Sequence, residues 1–127
     1  MTKKFITPTK APAAIGVYSQ AVESGNTLYI SGQIPLIPDS MEIVSENIEE
    51  QIEQVFDNLT AICVEAGAKL DDTIKFNVYL TDLAHFPKVN TAMEQRLAAP
   101  YPARAVVEVS ALPKGVQVEV DAIVDLS

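Results

Sequence analysis

The chain has 127 residues, of which 48% are hydrophobic and 20% are charged, so it can bury a core and is expected to form one domain over residues 1–127. Its formal net charge of -8 argues against nucleic-acid binding, because phosphates need a cationic surface. Only two arginines occur, Arg96 and Arg104, which argues against substrates with several anionic groups.

The chain lacks the usual signals for export or membrane insertion. The two lysines near its start are not followed by an apolar run, and no segment approaches the length of a membrane span. Cys63 is the only cysteine, which excludes an intramolecular disulfide and is typical of a reducing compartment. The expected location is therefore the cytoplasm, with no membrane partner.

The first half of the chain predicts two short strands and a helix. Residues 17–23 and 27–31 are extended candidates joined by a Ser-Gly-Asn turn. From Ile48 the apolar residues follow helical spacing, at Ile48, Ile52, Val55, Phe56, Leu59, Ile62, Cys63 and Ala66. Asn47 with Glu50 resembles a capping box, and Gly67 favours the end of the helix.

The second half predicts a strand, a second helix and two closing strands. Residues 73–81 alternate, with Ile74, Phe76, Val78 and Leu80 on one face. The second helix begins near Phe86-Pro87, where proline suits the first helical position, and it ends before Pro100. The closing strands, from about residues 103 and 116, flank a Leu-Pro-Lys-Gly turn at residues 112–115.

The order ββαβαββ predicts an α+β fold, with a mostly antiparallel mixed sheet and both helices on one face. By alternation, the other face receives Tyr29, Tyr79, Val106 and Ile123. So apolar a sheet face predicts association with further copies of the chain.

Several classes of chemistry lack the residues they need. One histidine, His85, and one cysteine cannot build a usual zinc site, and there is no phosphate loop or dinucleotide fingerprint. Catalysis of the Ser/His/Asp or Cys/His type would depend on His85, for which a capping or surface role just before the second helix is the simpler interpretation.

Alternation leaves a small polar set with two interpretations. If residues 112–115 close a hairpin, Arg104 and Glu119 lie on one side of the sheet. They could then form a solvated cross-strand ion pair or belong to a functional site. Asn90 is similarly either a solvated residue at the helix margin or a group facing a pocket, and Tyr18 and Ser31 are unremarkable when taken singly.

A longer collinear pattern resembles a known family. Its segments are Pro102-Ala103-Arg104-Ala105-Val106-Val107-Glu108-Val109, Leu112-Pro113-Lys114, Glu119-Val120-Asp121-Ala122-Ile123, Ala11-Pro12-Ala13-Ala14-Ile15-Gly16 with Tyr18, Ser31-Gly32-Gln33-Ile34-Pro35, and Val89-Asn90. Together they resemble the RidA (YjgF) family over nearly the whole chain.

The resemblance implies a chorismate-mutase-like fold and a homotrimer with clefts between subunits that bind small carboxylates. It further implies an enamine/imine deaminase that converts 2-aminoacrylate and related 2-imino acids to 2-keto acids and ammonia, protecting pyridoxal-phosphate enzymes. No cofactor is expected.

The resemblance also implies roles for individual residues. Arg104 would bind the substrate carboxylate, and Glu119 would activate water and help to protonate the departing nitrogen. The pocket would be lined by Tyr18, Ser31, Gly32, Asn90 and Val106. Two positions depart from the family pattern, because many members have cysteine in place of Val106 and proline in place of Val17.

Three other functions remain open from the sequence. Some relatives are described as ribonucleases or translation inhibitors, although the acidic charge opposes RNA binding. A non-catalytic sensor could bind a keto acid through Arg104, but it would leave Glu119 unexplained. A chorismate mutase would need more cations than two arginines supply.

Overall fold

The computed structural model describes residues 2–127. It contains six strands, two helices and short 3-10 turns. In chain order the elements are β1 Lys4–Ile6, β2 Ala21–Ser24, β3 Thr27–Gln33, α1 Ile48–Glu65, β4 Thr73–Leu80, α2 Phe86–Arg96, β5 Ala103–Glu108 and β6 Val118–Asp125.

All six strands form one mixed sheet in the order β1-β2-β3-β6-β4-β5. Every neighbouring pair is antiparallel except β4 and β5, which are parallel and are connected through α2. The α+β prediction is therefore confirmed. The sequence analysis missed β1, a three-residue edge strand that pairs with β2.

Helix α1 begins where the cap residues predict. The Asn47 side chain accepts a hydrogen bond from the Glu50 backbone N–H at 3.0 Å, which satisfies a donor that the helix itself cannot pair. Glu50 does not complete the box, because its carboxylate accepts from the Ser45 hydroxyl instead. Beyond the helix, Gly67 takes a positive φ of 84°, which suits glycine because it has no Cβ.

Both helices pack on one face of the sheet, called here the helix face. Phe56 of α1 meets Phe76 of β4 edge to face, with ring centroids 5.8 Å apart. Val89 and Met93 of α2 join the same core. The opposite face, called the open face, includes Tyr29 and Val107, which are 51% and 45% exposed.

The predicted hairpin between the last two strands is wrong. β4 lies between β5 and β6, so these strands are not neighbours. The predicted turn is a 3-10 turn, Pro113–Gly115, in which Lys114 and Gly115 both take positive φ. The hairpin prediction assumed that β5 pairs with the strand that follows it. Instead β5 pairs in parallel with β4, and α2 forms the crossover that a parallel pair requires.

The predicted alternation in β4 is wrong at its start. Thr73 pairs with Val124 and Lys75 with Ile123, so Ile74 is an extra residue in the ladder. The bulge exposes Ile74 and buries Thr73. The predicted face is correct for the remaining three residues, Phe76, Val78 and Leu80, which are all buried.

The assignment of Val106 to the open face is also wrong. Val106 pairs with Val78 on the helix face and packs against the core. Tyr29, Tyr79 and Ile123 do lie on the open face. Tyr29 pairs with Ile123 between β3 and β6, and Tyr79 pairs with Glu119, which is on the same face of β6 as Ile123.

Within residues 2–127, no helix has both the length and the apolar character needed to cross a membrane. Cys63 is buried in α1, and this burial, with a smaller effect from Asp72, raises the pKa of its thiol to about 12.

Candidate functional site

Arg104 lies on the edge strand β5 and points to the helix face, opposite Phe76 in the register. Its guanidinium donates a hydrogen bond to the Asn90 side-chain carbonyl and lies 3.6 Å from the Met93 sulfur. The guanidinium carbon also lies 4.9 Å from the centroid of the Phe86 ring, a cation–π contact. Three residues of α2 therefore orient this side chain.

No acidic partner neutralises Arg104 among residues 2–127. The chain's other arginine, Arg96, pairs at 2.7 Å with both Glu53 and Asp57, and no carboxylate lies within ion-pair distance of Arg104. Arg104 opens into a cavity of about 340 Å³, called here the arginine cavity, which is lined by Asn90, Met93, Glu94, Tyr101, Pro102 and Arg104. Its cation is therefore available to an anionic ligand.

Glu119 lies on β6 and points to the open face, opposite Tyr79. It is half-buried, and this burial, with a smaller effect from the Asp121 charge, raises the pKa of its carboxyl. The carboxyl lies against the backbone of Gly32, where an added Cβ would be 2.3 Å from Glu119 Oε2. A raised pKa is a property of carboxyl groups that exchange protons in catalysis.

A second cavity, of about 330 Å³, surrounds Glu119 and is called the glutamate cavity. Its lining residues are Ile15, Tyr18, Ser31, Gly32, Ile34, Pro113 and Glu119. Ser31 and Gly32 form a bulge in β3, because the register shifts between Ile30 and Gln33. The Ser31 hydroxyl donates to the Ser19 carbonyl at 2.6 Å, which ties the bulge to the loop that bears Tyr18.

The predicted site residues thus fall into two groups within one chain. Tyr18, Ser31 and Gly32 accompany Glu119, whereas Asn90 accompanies Arg104. The prediction that Arg104 and Glu119 share a sheet face is wrong: β4 separates their strands by about 10 Å, and their side chains point to opposite faces. They do not form an ion pair, so that interpretation is excluded for the single chain.

Two further residues belong to neither cavity. Val106 follows Arg104 on the helix face, is partly buried and packs against the core. His85 precedes α2 and its side chain makes no capping hydrogen bond. Within residues 2–127, no cluster of three or more His, Cys, Asp or Glu side chains could hold a metal ion.

The sequence analysis missed a polar group beside Glu119. Asp121 accepts hydrogen bonds from the Asn77 side-chain amide at 2.8 Å and from the Tyr79 hydroxyl at 3.0 Å. Alternation assigned Asn77 and Tyr79 to one face of β4, and Asp121 to one face of β6. The missing information was the pairing of β4 with β6, which alternation within each strand does not give.

Comparison with known proteins agrees with this fold. A family model described as Endoribonuclease L-PSP matches residues 8–126. A RutC family protein of Pyrococcus abyssi is 47% identical over 123 residues, which cover 97% of each chain. The crystal structure of RidA from the Antarctic bacterium Psychrobacter sp. has a TM-score of 0.93 and 52% identity, covering 96% of this chain and 98% of that one.

This chain belongs to the RidA family. The chorismate-mutase-like fold is shared with the RidA structure. Another relative, from Dermatophagoides farinae, is named 2-iminobutanoate/2-iminopropanoate deaminase; it is 40% identical over 122 residues, 96% of this chain and 95% of that protein.

Proposed function

We propose that this protein hydrolyses 2-aminoacrylate and related 2-imino acids to 2-keto acids and ammonia. The observation that supports this best is the unpaired Arg104 guanidinium in a cavity, in a protein with a net charge of -8. A single cation suits a substrate with one carboxylate. The deaminase name of the Dermatophagoides farinae relative supports the same reaction.

Arg104 binds the substrate carboxylate in this proposal. The planar guanidinium can donate two parallel hydrogen bonds to a carboxylate, and it cannot lose its charge near neutral pH. Asn90, Met93 and Phe86 already hold the side chain, so little conformational freedom is lost when the substrate binds.

Glu119 provides the proton exchange. As water adds to the carbon of the protonated imine, the carboxylate accepts one proton from the water and passes it to the nitrogen of the resulting carbinolamine. The C–N bond then breaks and ammonia leaves, while Glu119 takes the remaining hydroxyl proton as the 2-keto acid forms. For 2-aminoacrylate, protonation of the methylene carbon first gives the imine. The raised pKa of Glu119 favours its protonated form and thus the second half of this sequence.

The separation of the two cavities supports sites shared between subunits, and the family resemblance suggests that the assembly is a homotrimer. Arg104 is on the sheet's edge strand, whereas Glu119 is two strands further in and on the opposite face. One small substrate cannot contact both groups of the same chain, but a second copy could bring its Arg104 edge to the glutamate cavity. The half-exposed Tyr29 and Val107 on the open face also favour such packing.

The proposed role is protective. Imines and enamines of this class are reactive, and their rapid hydrolysis would spare pyridoxal-phosphate enzymes that release them in the cytoplasm. The direct test generates 2-aminoacrylate with a serine dehydratase and measures keto-acid release. We expect release faster than in the absence of the protein; a rate equal to spontaneous hydrolysis would contradict the deaminase proposal.

The two arginines give a matched pair of variants. Arg104→Ala should lower kcat/KM by about 100-fold or more while the melting temperature changes little, because Arg104 is exposed and contacts no acid. Arg96→Ala should leave kcat/KM near the wild-type value but reduce stability by about 1 kcal/mol or more, because Arg96 hydrogen-bonds Glu53 and Asp57. Undiminished turnover in Arg104→Ala would exclude its assignment to the site.

The same measurements separate the alternatives. A non-catalytic sensor would bind a keto acid through Arg104, detectable by calorimetry, without accelerating imine hydrolysis. A ribonuclease, the activity in the family model's description, would cleave RNA and bind it at low salt, which the net charge of -8 opposes.

A further inference from the structure

A second carboxylate lies beside Glu119 and is held rigidly. Asp121 accepts from Asn77 on one oxygen and from Tyr79 on the other, and both donors come from β4. This set, Asp121 with Asn77 and Tyr79, is called here the Asp121 clamp. Because each donor binds a different oxygen, together they restrict the rotation of the Asp121 carboxylate.

The clamp is placed to act on Glu119. Asp121 follows Glu119 by two residues on the same face of β6, a spacing of about 7 Å along a strand. Tyr79 lies directly opposite Glu119 in the β4–β6 register, and Asn77 lies opposite Asp121. The strand pairing therefore keeps the Asp121 charge near the Glu119 carboxyl while both clamp donors point to Asp121.

Apart from Lys75 of β4, the other elements around Glu119 contribute uncharged groups. β3 provides Ser31 and Gly32, the N-terminal loop provides Tyr18, and the turn before β6 provides Pro113. Just before β6, Gln117 precedes Glu119 by two residues, and its side-chain amide donates to the Glu46 carbonyl. Lys75 shares the open face further along β4, opposite Ile123. After burial, the Asp121 charge is the second cause that raises the pKa of Glu119.

We propose that Asp121 is a positioning residue for the deaminase reaction, which acts through Glu119: its clamped negative charge sets the pH at which Glu119 exchanges its proton. This inference rests on the proposed function. A nearby fixed negative charge disfavours ionisation of a carboxyl, so the clamp keeps a proton on Glu119 to a higher pH than burial alone would. Glu119 then has a proton to give to the departing nitrogen.

The test compares Asp121→Asn with Asp121→Glu in the assembled, full-length protein. The first variant removes the charge and retains one hydrogen-bond acceptor, whereas the second retains the charge and changes the side-chain length. The measured quantity is the carbon-13 shift of the Glu119 side-chain carboxyl as a function of pH, assigned by its absence in Glu119→Gln. We expect the titration midpoint to move to lower pH in Asp121→Asn and to stay near the wild-type value in Asp121→Glu.

Asp125→Asn is the matched control. It removes the same charge from the same strand, but Asp125 is exposed, bonds to Ser127, and lies about 20 Å from Glu119 along the strand. The titration midpoint of the Glu119 carboxyl in Asp125→Asn should equal that of the wild type. The pH profile of kcat/KM should follow the carboxyl titration, with the limb due to Glu119 displaced to lower pH only in Asp121→Asn.

The outcomes separate this inference from the proposed function. If the wild type turns over imines and the midpoint is the same in Asp121→Asn and the wild type, Asp121 does not act on Glu119. An equal displacement in Asp121→Glu would also overturn the inference, because shape and not charge would then be the cause. If the wild type does not hydrolyse imines, the deaminase proposal fails, while the carboxyl titration still decides whether the Asp121 charge reaches Glu119.

Discussion

Gly32 provides the space that the Glu119 carboxyl occupies. A Cβ at this position would lie 2.3 Å from Oε2 and 2.9 Å from Cδ of Glu119, well inside van der Waals contact. The backbone of Gly32 does not take a positive φ, and the three atoms nearest to an added Cβ all belong to the Glu119 side chain. Gly32 thereby determines where the carboxyl points, which a catalytic group requires.

Gly32→Ala should consequently reduce activity without unfolding the protein. Glu119 has flexible torsions and can move away from the new methyl group, so we expect a small change in melting temperature and a loss in kcat of about 10- to 100-fold. A double-mutant cycle supplies the control, since Gly32→Ala should cost nothing further in a Glu119→Gln background. Additive losses would show that Gly32 acts independently of Glu119.

For individual residues, the sequence predicted which side chains line the cavities but misplaced some of them on the sheet. The family pattern identified Arg104, Glu119, Tyr18, Ser31, Gly32 and Asn90, and each of these lines one of the two cavities. Alternation alone misplaced Arg104, because a face assignment has meaning only after the neighbouring strand is known. The Asp121 clamp could not be predicted for the same reason, since its donors and acceptor are 42 and 44 residues apart.

Helix α1 covers the sheet and also holds the loop that follows β3. Asn58 is fully buried, and its amide donates to the carbonyls of Ile34 at 3.3 Å and Leu36 at 3.1 Å. Its own carbonyl accepts from Gln54. These bonds attach the loop after β3 to the helix, and Ile34 of that loop lines the glutamate cavity.

Asn58→Leu should release this loop. The substitution keeps a similar volume but removes the Asn58 amide from both loop carbonyls, of which that of Ile34 keeps the Leu36 N–H and that of Leu36 is left without a donor. This loss should lower the free energy of unfolding by about 1 to 3 kcal/mol. Limited proteolysis should then cut between residues 34 and 44 more rapidly than in the wild type. Asn47→Ala is the control: it should cost about 1 kcal/mol through the lost helix cap while the loop stays protected. Equal protease resistance in Asn58→Leu and the wild type would contradict the attachment.

Element prediction succeeded where local signals were sufficient. The N-cap, the apolar period and Gly67 determined α1, and Pro87 marked the start of α2. β1 was missed because three residues are too few to show an alternating pattern. The β4 bulge was missed because an extra residue is recognised only from the pairing with the neighbouring strand.

The proposed assembly predicts that two inactive variants restore activity when their subunits are mixed. If each site takes Arg104 from one subunit and Glu119 from the next, mixed trimers of Arg104→Ala and Glu119→Gln subunits will contain one site with both native groups. Random mixing at equal amounts should then restore up to about a quarter of the wild-type activity. The variants should be co-refolded, with mixed trimers verified by native mass spectrometry and each variant refolded alone as control. Mixed trimers without restored activity would contradict the shared site.

The position of Arg104 and Glu119 on opposite faces has a consequence for the newly made chain. A single folded copy presents a carboxylate-binding group and a proton-exchanging group that cannot reach the same small molecule. Under the proposed function, chemical competence would thus be acquired on assembly rather than on folding. Specific activity should therefore decrease on dilution below the subunit dissociation constant, while the secondary structure of each chain persists.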